Sequence, residues 1–245
     1  MTYLDVHLFL TLPVLGALAV AEAVARRGGP QPSLGPLAGL VVLAVVYTTP
    51  WDNYLVWRGV WGYGEGRVLG TWGWVPVEEY AFFVLQTLSV GLWTRRVRSA
   101  PAGAASVWPA RLGVALGVLA TALGAALWAG GGRGLYLGLI LVWAGPVVAV
   151  QWGLGGAALW ADRRALALAA GVPALVFCVV DRIAIGAGVW RIADATRTGA
   201  EVAGLPVEEA LFFGVTSLFV AQTLLVLRAW RGRLAPRRWA QPATA

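Results

Sequence analysis

Two pairs of adjacent glutamates are the residues in this sequence best suited to acid/base chemistry. Glu78 and Glu79 follow a proline and a valine and precede two phenylalanines, and the same arrangement recurs 130 residues later around Glu208 and Glu209. Proline suits the first position of a helix, and acids in the first turn complement the helix dipole. One such motif is adequately explained as a helix start, but its duplication is not.

Two single aspartates extend this set of acids. Asp52 and Asp181 lie near the C-terminal ends of apolar stretches, where the helix dipole disfavours a negative charge, so helix capping does not account for them. Carboxyl groups crowded in an apolar environment do not all ionise, and a neutral acid beside an ionised one provides a proton donor and an acceptor. Ion pairing is the structural alternative, since Arg182 adjoins Asp181, and Arg191 and Arg197 could pair with Asp194 and Glu201.

Aromatic residues are dense around these acids, chiefly in the first half of the chain. A membrane-interface belt explains some of them, but aromatic faces also stabilise cations, by about 2 kcal/mol when desolvated. An acid layer lined with aromatic rings suits carbocation chemistry. The residues predicted to contact a substrate are Trp51, Asn53, Tyr54, Trp61, Phe82, Phe83, Trp190, Phe212 and Phe213.

The elements that carry these residues are predicted to cross a membrane. Hydrophobic residues make up 59% of the chain and charged residues 13%, which is typical of an integral membrane protein. A bilayer span needs about 20 residues. The apolar stretches of that length are 4–25, 34–57, 76–94, 110–129, 134–160, 165–187 and 205–228. The prediction is an all-α integral membrane protein with seven transmembrane helices.

Charge distribution predicts the orientation of these helices. All 19 basic residues are arginine, and 13 of them fall on the cytoplasmic side if the N-terminus is outside, against six on the other side. The positive-inside rule therefore predicts an outside N-terminus and a cytoplasmic C-terminus in the cell membrane. The first stretch has no cleavage-site pattern and is predicted to be a retained helix.

The chain also contains an internal repeat beyond the acidic motif. Tyr3 and Pro13 recur as Tyr136 and Pro146 with the same spacing, and an aspartate followed by a tryptophan nine residues later occurs once in each half. We expect two parallel three-helix repeats joined by a connecting helix. The predicted divisions are 1–98 for the first repeat, 99–132 for the connecting helix, 133–230 for the second repeat and 231–245 for a basic tail.

The run from Pro50 to Tyr54, the duplicated acidic motif and the parallel halves resemble the heterodimer-type lycopene cyclases of carotenoid synthesis, here with both halves fused in one chain. The second half departs from this pattern, because Arg182 and Ile183 stand where the first half has asparagine and tyrosine. The resemblance implies a lipid-soluble linear carotenoid as substrate, membrane lipid as surroundings, and ring closure at the chain ends without net redox change.

The resemblance also implies roles for the acids. Glu78 and Glu208 are expected to supply the catalytic acid and base, supported by Glu79 and Glu209. Asp52 and Asp181 are expected to tune or relay protons. No dinucleotide-binding motif is visible, so neither a flavin nor another cofactor is predicted, and neither a metal site nor a nucleic-acid partner is expected.

Other functions of membrane proteins fit less well. A retinal Schiff base needs a lysine, which the chain lacks, and an iron oxygenase needs several histidines, whereas His7 is the only one. A prenyltransferase needs paired aspartate-rich motifs, and the two aspartates stand singly. Two alternatives stay open: a carotenoid end-group hydratase, which captures the same cation with water, and a proton-coupled transporter built from parallel repeats.

Overall fold

The computed structural model describes residues 1–29, 31–98 and 107–234, with the side chains of 233 and 234 left aside. Helices dominate this part of the chain. Their bounds are Tyr3–Val6 (α1), Leu12–Arg27 (α2), Gly35–Trp57 (α3), Val77–Arg96 (α4), Trp108–Gly130 (α5), Leu135–Ala161 (α6), Arg163–Gly186 (α7) and Val207–Leu234 (α8). The predicted residues 99–106 and 235–245, from the connecting segment and the basic tail, lie outside the described residues.

Five of the described helical segments are long and apolar enough to cross a membrane. They are Tyr3–Arg27, Trp108–Gly130, Gly132–Ala161, Arg163–Gly186 and Val207–Gly232. The first combines α1 and α2 through a π-helical turn at His7–Thr11. That wider turn immediately precedes Pro13, which lacks an N–H and clashes with the preceding turn of a regular helix. The prediction of a helical membrane protein is confirmed.

The two loops before the acidic motifs contain short strands that an all-α prediction leaves out. These strands are Trp61–Tyr63 (β1), Thr71–Trp72 (β2), Val75–Pro76 (β3), Trp190–Ile192 (β4), Glu201–Val202 (β5) and Leu205–Pro206 (β6). β2 pairs with β3, and β5 with β6, as tight antiparallel hairpins. Ala203 and Gly204 both have positive φ, as a type I′ hairpin turn requires.

An antiparallel pairing of β1 with β4 joins the two loops. Trp61 is opposite Ile192, and Tyr63 is opposite Trp190. Because this ribbon crosses from one half of the chain to the other, it brings equivalent parts of both halves together at one end of the helix bundle. The main buried cluster lies beneath it and includes Tyr3, Phe82 and Phe213.

Helices α5 and α6 pack with very little space between their backbones. A Cβ atom added at Gly117 would lie 2.6 Å from the carbonyl oxygen of Gly145, and one at Gly138 would lie 2.9 Å from that of Gly124. Small residues at such spacings let membrane helices approach closely. This packing fixes α5, within the predicted connecting segment, against the second half.

The end of the bundle opposite the acidic motifs carries a buried ion cluster. Glu22 is 5% exposed and lies within 3.0 Å of Arg26, 2.7 Å of Arg95 and 2.6 Å of Arg96. These contacts join the end of α2 to the end of α4. The predicted acid layer and this arginine-rich layer therefore occupy opposite ends of the helices.

Candidate active site

The acidic motifs begin α4 and α8 immediately after short hairpins. Pro76 ends β3 and is the extended residue that precedes α4, and Pro206 ends β6 in the same position before α8. The two glutamates of each motif therefore fall in the first helical turn, as predicted. Adjacent residues of a helix point about 100° apart, so the two members of each pair face different surroundings.

The first glutamate of each pair faces the loop that precedes it. Glu78 Oε1 accepts a hydrogen bond from the backbone N–H of Leu69 at 2.8 Å. Glu208 Oε1 accepts from the backbone N–H of Thr198 at 2.6 Å and from its hydroxyl at 2.7 Å. Both carboxyl groups are buried. In this geometry they hold the loops against the helix starts.

The second glutamate of each pair faces the interior. Glu79 Oε2 accepts hydrogen bonds from the Tyr3 hydroxyl at 2.8 Å and the Tyr63 hydroxyl at 3.1 Å. Glu209 Oε1 accepts one from the Tyr136 hydroxyl at 2.7 Å. Burial, together with the neighbouring Glu79, raises the pKa of the Tyr63 hydroxyl well above its ordinary value. Tyr63 therefore stays protonated and acts as a donor.

The two aspartates join this inward-facing group but differ in their hydrogen bonds. Asp181 Oδ1 accepts from the Trp190 indole N–H at 2.7 Å. Asp52 is 0% exposed, and within the described chain neither of its oxygens has a hydrogen-bond partner. Asp52 interacts electrostatically with both Glu79 and Glu209. Four carboxyl groups from both halves thus form one buried cluster.

Of the arginines considered as structural partners of the acids, Arg197 makes its suggested ion pairs, but Arg182 does not pair with Asp181. Arg182 donates to the backbone oxygen of Ala203 at 3.3 Å, not to its sequence neighbour Asp181. Arg197 pairs with Asp194 and Glu201, both at 2.6 Å, and these hydrogen bonds raise the pKa of its guanidinium. Ion pairing between Arg182 and Asp181 therefore does not account for the buried aspartate.

A cavity of about 30 Å³ lies among the inward-facing acids. That is room for one or two water molecules at most. Its walls combine carboxyl groups with aromatic rings from both halves of the chain. The lining residues are Tyr3, Trp61, Tyr63, Glu79, Phe82, Asp181, Trp190, Ile192, Glu209, Phe212 and Phe213.

An apolar groove of about 490 Å³ adjoins this cavity. It lies between α3, α4, α6 and α8, and Phe212 belongs to the walls of both spaces. Leu43, Val150 and Leu154 line the groove and are each more than half exposed on the helix surface. Because these side chains face outward, the groove opens sideways, in the direction of membrane lipid.

Aromatic rings form the boundary between cavity and groove. The Phe212 ring stacks on Trp51 with 5.6 Å between centroids, and it meets Trp61 edge-on at 5.7 Å. Trp51 in turn stacks on Trp143 at 4.7 Å. A molecule that reaches from the groove toward the acids passes these rings.

Most of the predicted substrate contacts lie at this boundary, but two lie elsewhere. Trp61, Phe82, Trp190, Phe212 and Phe213 line the cavity, Phe83 lines the groove, and Trp51 packs behind Phe212. The Asn53 side chain accepts from the backbone N–H of Trp74 at 2.7 Å and so holds the first hairpin. The Tyr54 hydroxyl accepts from Arg58 and Trp128.

Sequence reasoning missed the tyrosines that contact the glutamates. Tyr3 and Tyr136 were identified only as markers of the repeat, although their recurrence at matching positions was a usable signal. Tyr63 has no tyrosine counterpart in the second half, because Ile192 occupies the equivalent position two residues after Trp190. The repeat therefore could not have indicated Tyr63. Among the groove residues, Trp143 and Gln151 belong to no recognisable sequence motif, so the sequence alone did not indicate them.

Comparison with known proteins gives relatives that match nearly the whole chain. The chain is 44% identical over 226 residues to "Lycopene beta-cyclase" of Halobacterium salinarum, covering 89% of this chain and 94% of the relative. It is 34% identical over 235 residues to "Bifunctional lycopene cyclase/phytoene synthase" of Gibberella fujikuroi, covering 91% of this chain and 39% of that longer protein. No family model and no solved structure matches.

The fold and the buried acids are those of a helical membrane protein with a cluster of carboxyl groups next to an apolar groove. The 44% identity over 89% of the chain shows which family it belongs to. The chain belongs to the lycopene cyclase family. The resemblance to lycopene cyclases noted from the acidic motifs is thereby confirmed.

Proposed function

We propose that the chain closes ionone-type rings, of the β type, at the ends of linear lycopene. The observation that carries this proposal is the buried cluster of Asp52, Glu79, Asp181 and Glu209, the last three of which line an aromatic cavity that adjoins a lipid-facing groove. The name of the Halobacterium relative supports the ring type. The substrate is the lipid-soluble carotenoid, and no cofactor takes part.

The groove is proposed to hold the polyene chain while one end reaches the acids. Along α8 the groove extends from Phe212 to Thr223, which is about 16 Å of helix at 1.5 Å per residue. Two amide groups in the groove donate to its own walls, since the Gln86 amide donates to Thr216 and the Gln151 amide donates to Thr223, both at 2.8 Å. The surface left to the substrate is therefore mainly apolar.

Ring closure needs a proton donor, a shield for the cation and a proton acceptor. In the proposed mechanism a neutral carboxyl group protonates the terminal double bond, a neighbouring double bond attacks the cation, and a carboxylate removes a proton. The rings of Phe212, Trp61 and Phe82 stabilise the cation through their faces. One proton enters and one leaves, so the reaction is redox-neutral.

The inward-facing acids are the better candidates for this chemistry. The sequence-based hypothesis assigned acid and base to Glu78 and Glu208, with their neighbours in support. Glu79 and Glu209 line the cavity, whereas Glu78 and Glu208 each accept a backbone N–H from a loop. We therefore propose that Glu79 and Glu209 react with the substrate and that Glu78 and Glu208 position them.

A cyclase fits the cavity better than a hydratase does. A hydratase must deliver water to the cation, whereas the walls of this cavity are largely aromatic rings. The rings exclude water from the carbon that carries the charge and leave the second double bond as the nearest nucleophile. A proton-coupled transporter would need a polar path through the bundle for its protons, whereas the groove next to the acids is mainly apolar.

The proposed architecture is seven spans in two parallel three-helix repeats, with the halves of a heterodimer-type enzyme fused through residues 99–132. α3 has 23 residues and α4 has 20, which is long enough to cross about 30 Å of hydrocarbon. Matching contacts support the repeat: the backbone N–H of Tyr3 donates to the backbone carbonyl oxygen of Arg67, and that of Tyr136 donates to the backbone carbonyl oxygen of Thr196. The antiparallel β1–β4 pairing fits a twofold axis along the membrane normal.

The proposed setting is the cell membrane with the N-terminus outside. The acid layer then faces the outer side, and the cluster of Glu22 with three arginines faces the cytoplasm. This agrees with the positive-inside rule. In this proposed orientation the connecting helix crosses the membrane between the two repeats, and the basic tail at 231–245 is cytoplasmic.

Expression in a lycopene-accumulating host tests the proposed function. The expected outcome is conversion of lycopene to a carotenoid with β-rings, identified by chromatography and mass spectrometry against standards. A variant with Glu79→Gln and Glu209→Gln, accumulated to the same level in the membrane, should leave lycopene unchanged. A hydroxylated acyclic product would indicate a hydratase, and unchanged lycopene with the wild-type chain would refute the proposal.

A further inference from the structure

The two sides of the acid-lined cavity differ at one position of the repeat. Tyr63 follows Trp61 by two residues, and Ile192 follows Trp190 by two residues. The ribbon places Trp61 opposite Ile192 and Tyr63 opposite Trp190, and all four side chains line the cavity. A hydroxyl donor on one side is therefore replaced by an alkyl group on the other.

This difference gives the two inward-facing glutamates unequal hydrogen bonding. Glu79 accepts from two phenol hydroxyls, those of Tyr3 and Tyr63, on the same oxygen. Within the described residues, Glu209 accepts from the Tyr136 hydroxyl alone. Hydrogen bonds donated to a carboxylate stabilise its ionised form. Glu79 is thus the better-stabilised anion of the two.

The neighbouring aspartates increase the inequality. Glu209 interacts directly with Asp181, which holds the Trp190 N–H at 2.7 Å. Two carboxyl groups in one buried site ionise one at a time, and aspartate is the stronger acid. Glu209 therefore retains the proton of its pair. Asp52 has no hydrogen-bond partner among the described residues, so its neutral form is favoured and Glu79 is the ionised member of the other pair.

On the basis of the proposed function, we infer that both halves build one shared catalytic site in which Glu209 is the acid and Glu79 is the base. Tyr63 is the positioning residue that stabilises the Glu79 carboxylate. Both glutamates line the same cavity, so a single carotenoid end that displaces the rings at the boundary with the groove meets both groups; at about 30 Å³ the cavity must widen as this end enters. The repeat thus supplies two similar acids, and one substitution separates their roles.

The steps balance in atoms and electrons. The Glu209 proton adds to the terminal double bond, whose electrons form the new C–H bond and leave a tertiary cation. The next double bond attacks this cation, forming the ring bond and moving the charge to a ring carbon. Glu79 removes a proton from the adjacent carbon, and the C–H electrons become the ring double bond. After the product leaves, a water molecule in the cavity between the two glutamates carries the proton from Glu79 back to Glu209 and restores both groups.

Deuterium labelling of unreacted lycopene distinguishes acid from base. Purified wild-type, Glu79→Gln and Glu209→Gln proteins are incubated with lycopene-containing vesicles in D₂O, and both carotenoids are analysed by mass spectrometry. Without the base the cation reverts to lycopene, so Glu79→Gln should form at least about 100-fold less ring but return deuterated lycopene. Without the acid no cation forms, so Glu209→Gln should return unlabelled lycopene.

The other labelling patterns overturn the assignment. These are label in lycopene from Glu209→Gln only, from both variants, or from neither. The wild-type reaction separates this inference from the proposed function. If the wild type forms no ring, the proposed function fails; if it forms rings and the variants give another pattern, only the acid and base assignment fails.

Milder variants test the same inference in protein that retains both glutamates. Tyr63→Phe removes a donor to Glu79 and should raise the deuterium in recovered lycopene per ring formed by about tenfold, because proton removal slows relative to reversal. Tyr136→Phe removes the donor to Glu209 and should not raise this ratio. Tyr80→Phe is the matched control, since its hydroxyl donates to the Trp72 carbonyl outside the cavity. An unchanged ratio in Tyr63→Phe overturns the inference.

Discussion

Neighbouring glutamates in each acidic motif have different surroundings because a helix turns about 100° per residue. Glu78 reaches back to the backbone of Leu69, whereas Glu79 points at the Tyr3 and Tyr63 hydroxyls in the interior. The second motif repeats this division with Thr198 and Tyr136. A pair of identical residues thus provides one group that orders a loop and one that is available for chemistry.

Amide substitutions at the first motif should separate these two roles. Glu79→Gln is expected to lower the rate of ring formation by about 100-fold or more, as loss of a general acid or base does. Glu78→Gln should keep activity within about tenfold, since the amide oxygen still accepts the Leu69 N–H. Product is measured per unit of protein in the membrane. Equal loss in both variants would contradict the division of roles.

The ring of Phe212 is expected to contribute to catalysis beyond its packing. It lines the cavity and the groove and stacks on Trp51. Phe212→Leu keeps an apolar side chain but removes the aromatic face, so ring formation should fall by about 3- to 30-fold, the equivalent of about 0.5–2 kcal/mol of cation stabilisation.

Phe177→Leu is a matched control for this change. Phe177 is buried against Phe82 and Phe213 and contributes to the core without lining either space. Both variants should lose similar stability in thermal unfolding, while only Phe212→Leu loses activity per folded molecule. If Phe177→Leu is equally inactive, packing and not the aromatic face explains the effect.

At the scale of elements, the sequence predicted the helices well and the loops poorly. The stretch predicted as 110–129 is α5 at Trp108–Gly130, and the stretch predicted as 34–57 is α3 at Gly35–Trp57. Long apolar runs reveal helices because their composition is independent of partners. Strands of two or three residues, such as β1 and β4, carry no periodic pattern, and their pairing joins parts of the chain about 130 residues apart.

The ion cluster that joins α2 to α4 should be important for stability. Glu22 is the carboxyl partner of Arg26, Arg95 and Arg96, so Glu22→Gln leaves these guanidinium groups without their counter-charge. The free energy of unfolding should fall by about 1–3 kcal/mol, as for loss of charged hydrogen bonds, because the three arginines are partly exposed to solvent. Chemical or thermal unfolding of detergent-solubilised protein measures this change.

An exposed ion pair provides the comparison. Asp194 is 83% exposed where it meets Arg197, and such surface pairs contribute about 0–1 kcal/mol. Asp194→Asn should therefore leave unfolding nearly unchanged. A comparable loss in both variants would show that the Glu22 cluster has no special structural role.

At the scale of the whole molecule, the cavity depends on both halves. Glu79 and Tyr3 come from the first half, and Asp181 and Glu209 from the second, and the β1–β4 ribbon joins their loops. Neither half alone can form the acid-lined space. This dependence links the duplication in the sequence to a single site in the folded chain.

Expression of the chain in two pieces tests this dependence. Residues 1–98 and 99–245, produced together in a lycopene-accumulating host, should restore ring formation, because the break lies between α4 and α5. Each piece produced alone should give no ring. Ring formation by one piece alone would show that a complete site exists within a single half.

Composition, spacing and duplication were enough to identify a helical membrane protein, its acidic motifs and its family, because these features are local or repeated along the chain. Which glutamate of each pair enters the cavity, and that Tyr63 joins Tyr3 on Glu79, followed only from the folded structure. Those contacts depend on the rotation of each helix and on the meeting of distant loops. A local sequence pattern determines neither the rotation of a helix in the bundle nor the contact between distant loops.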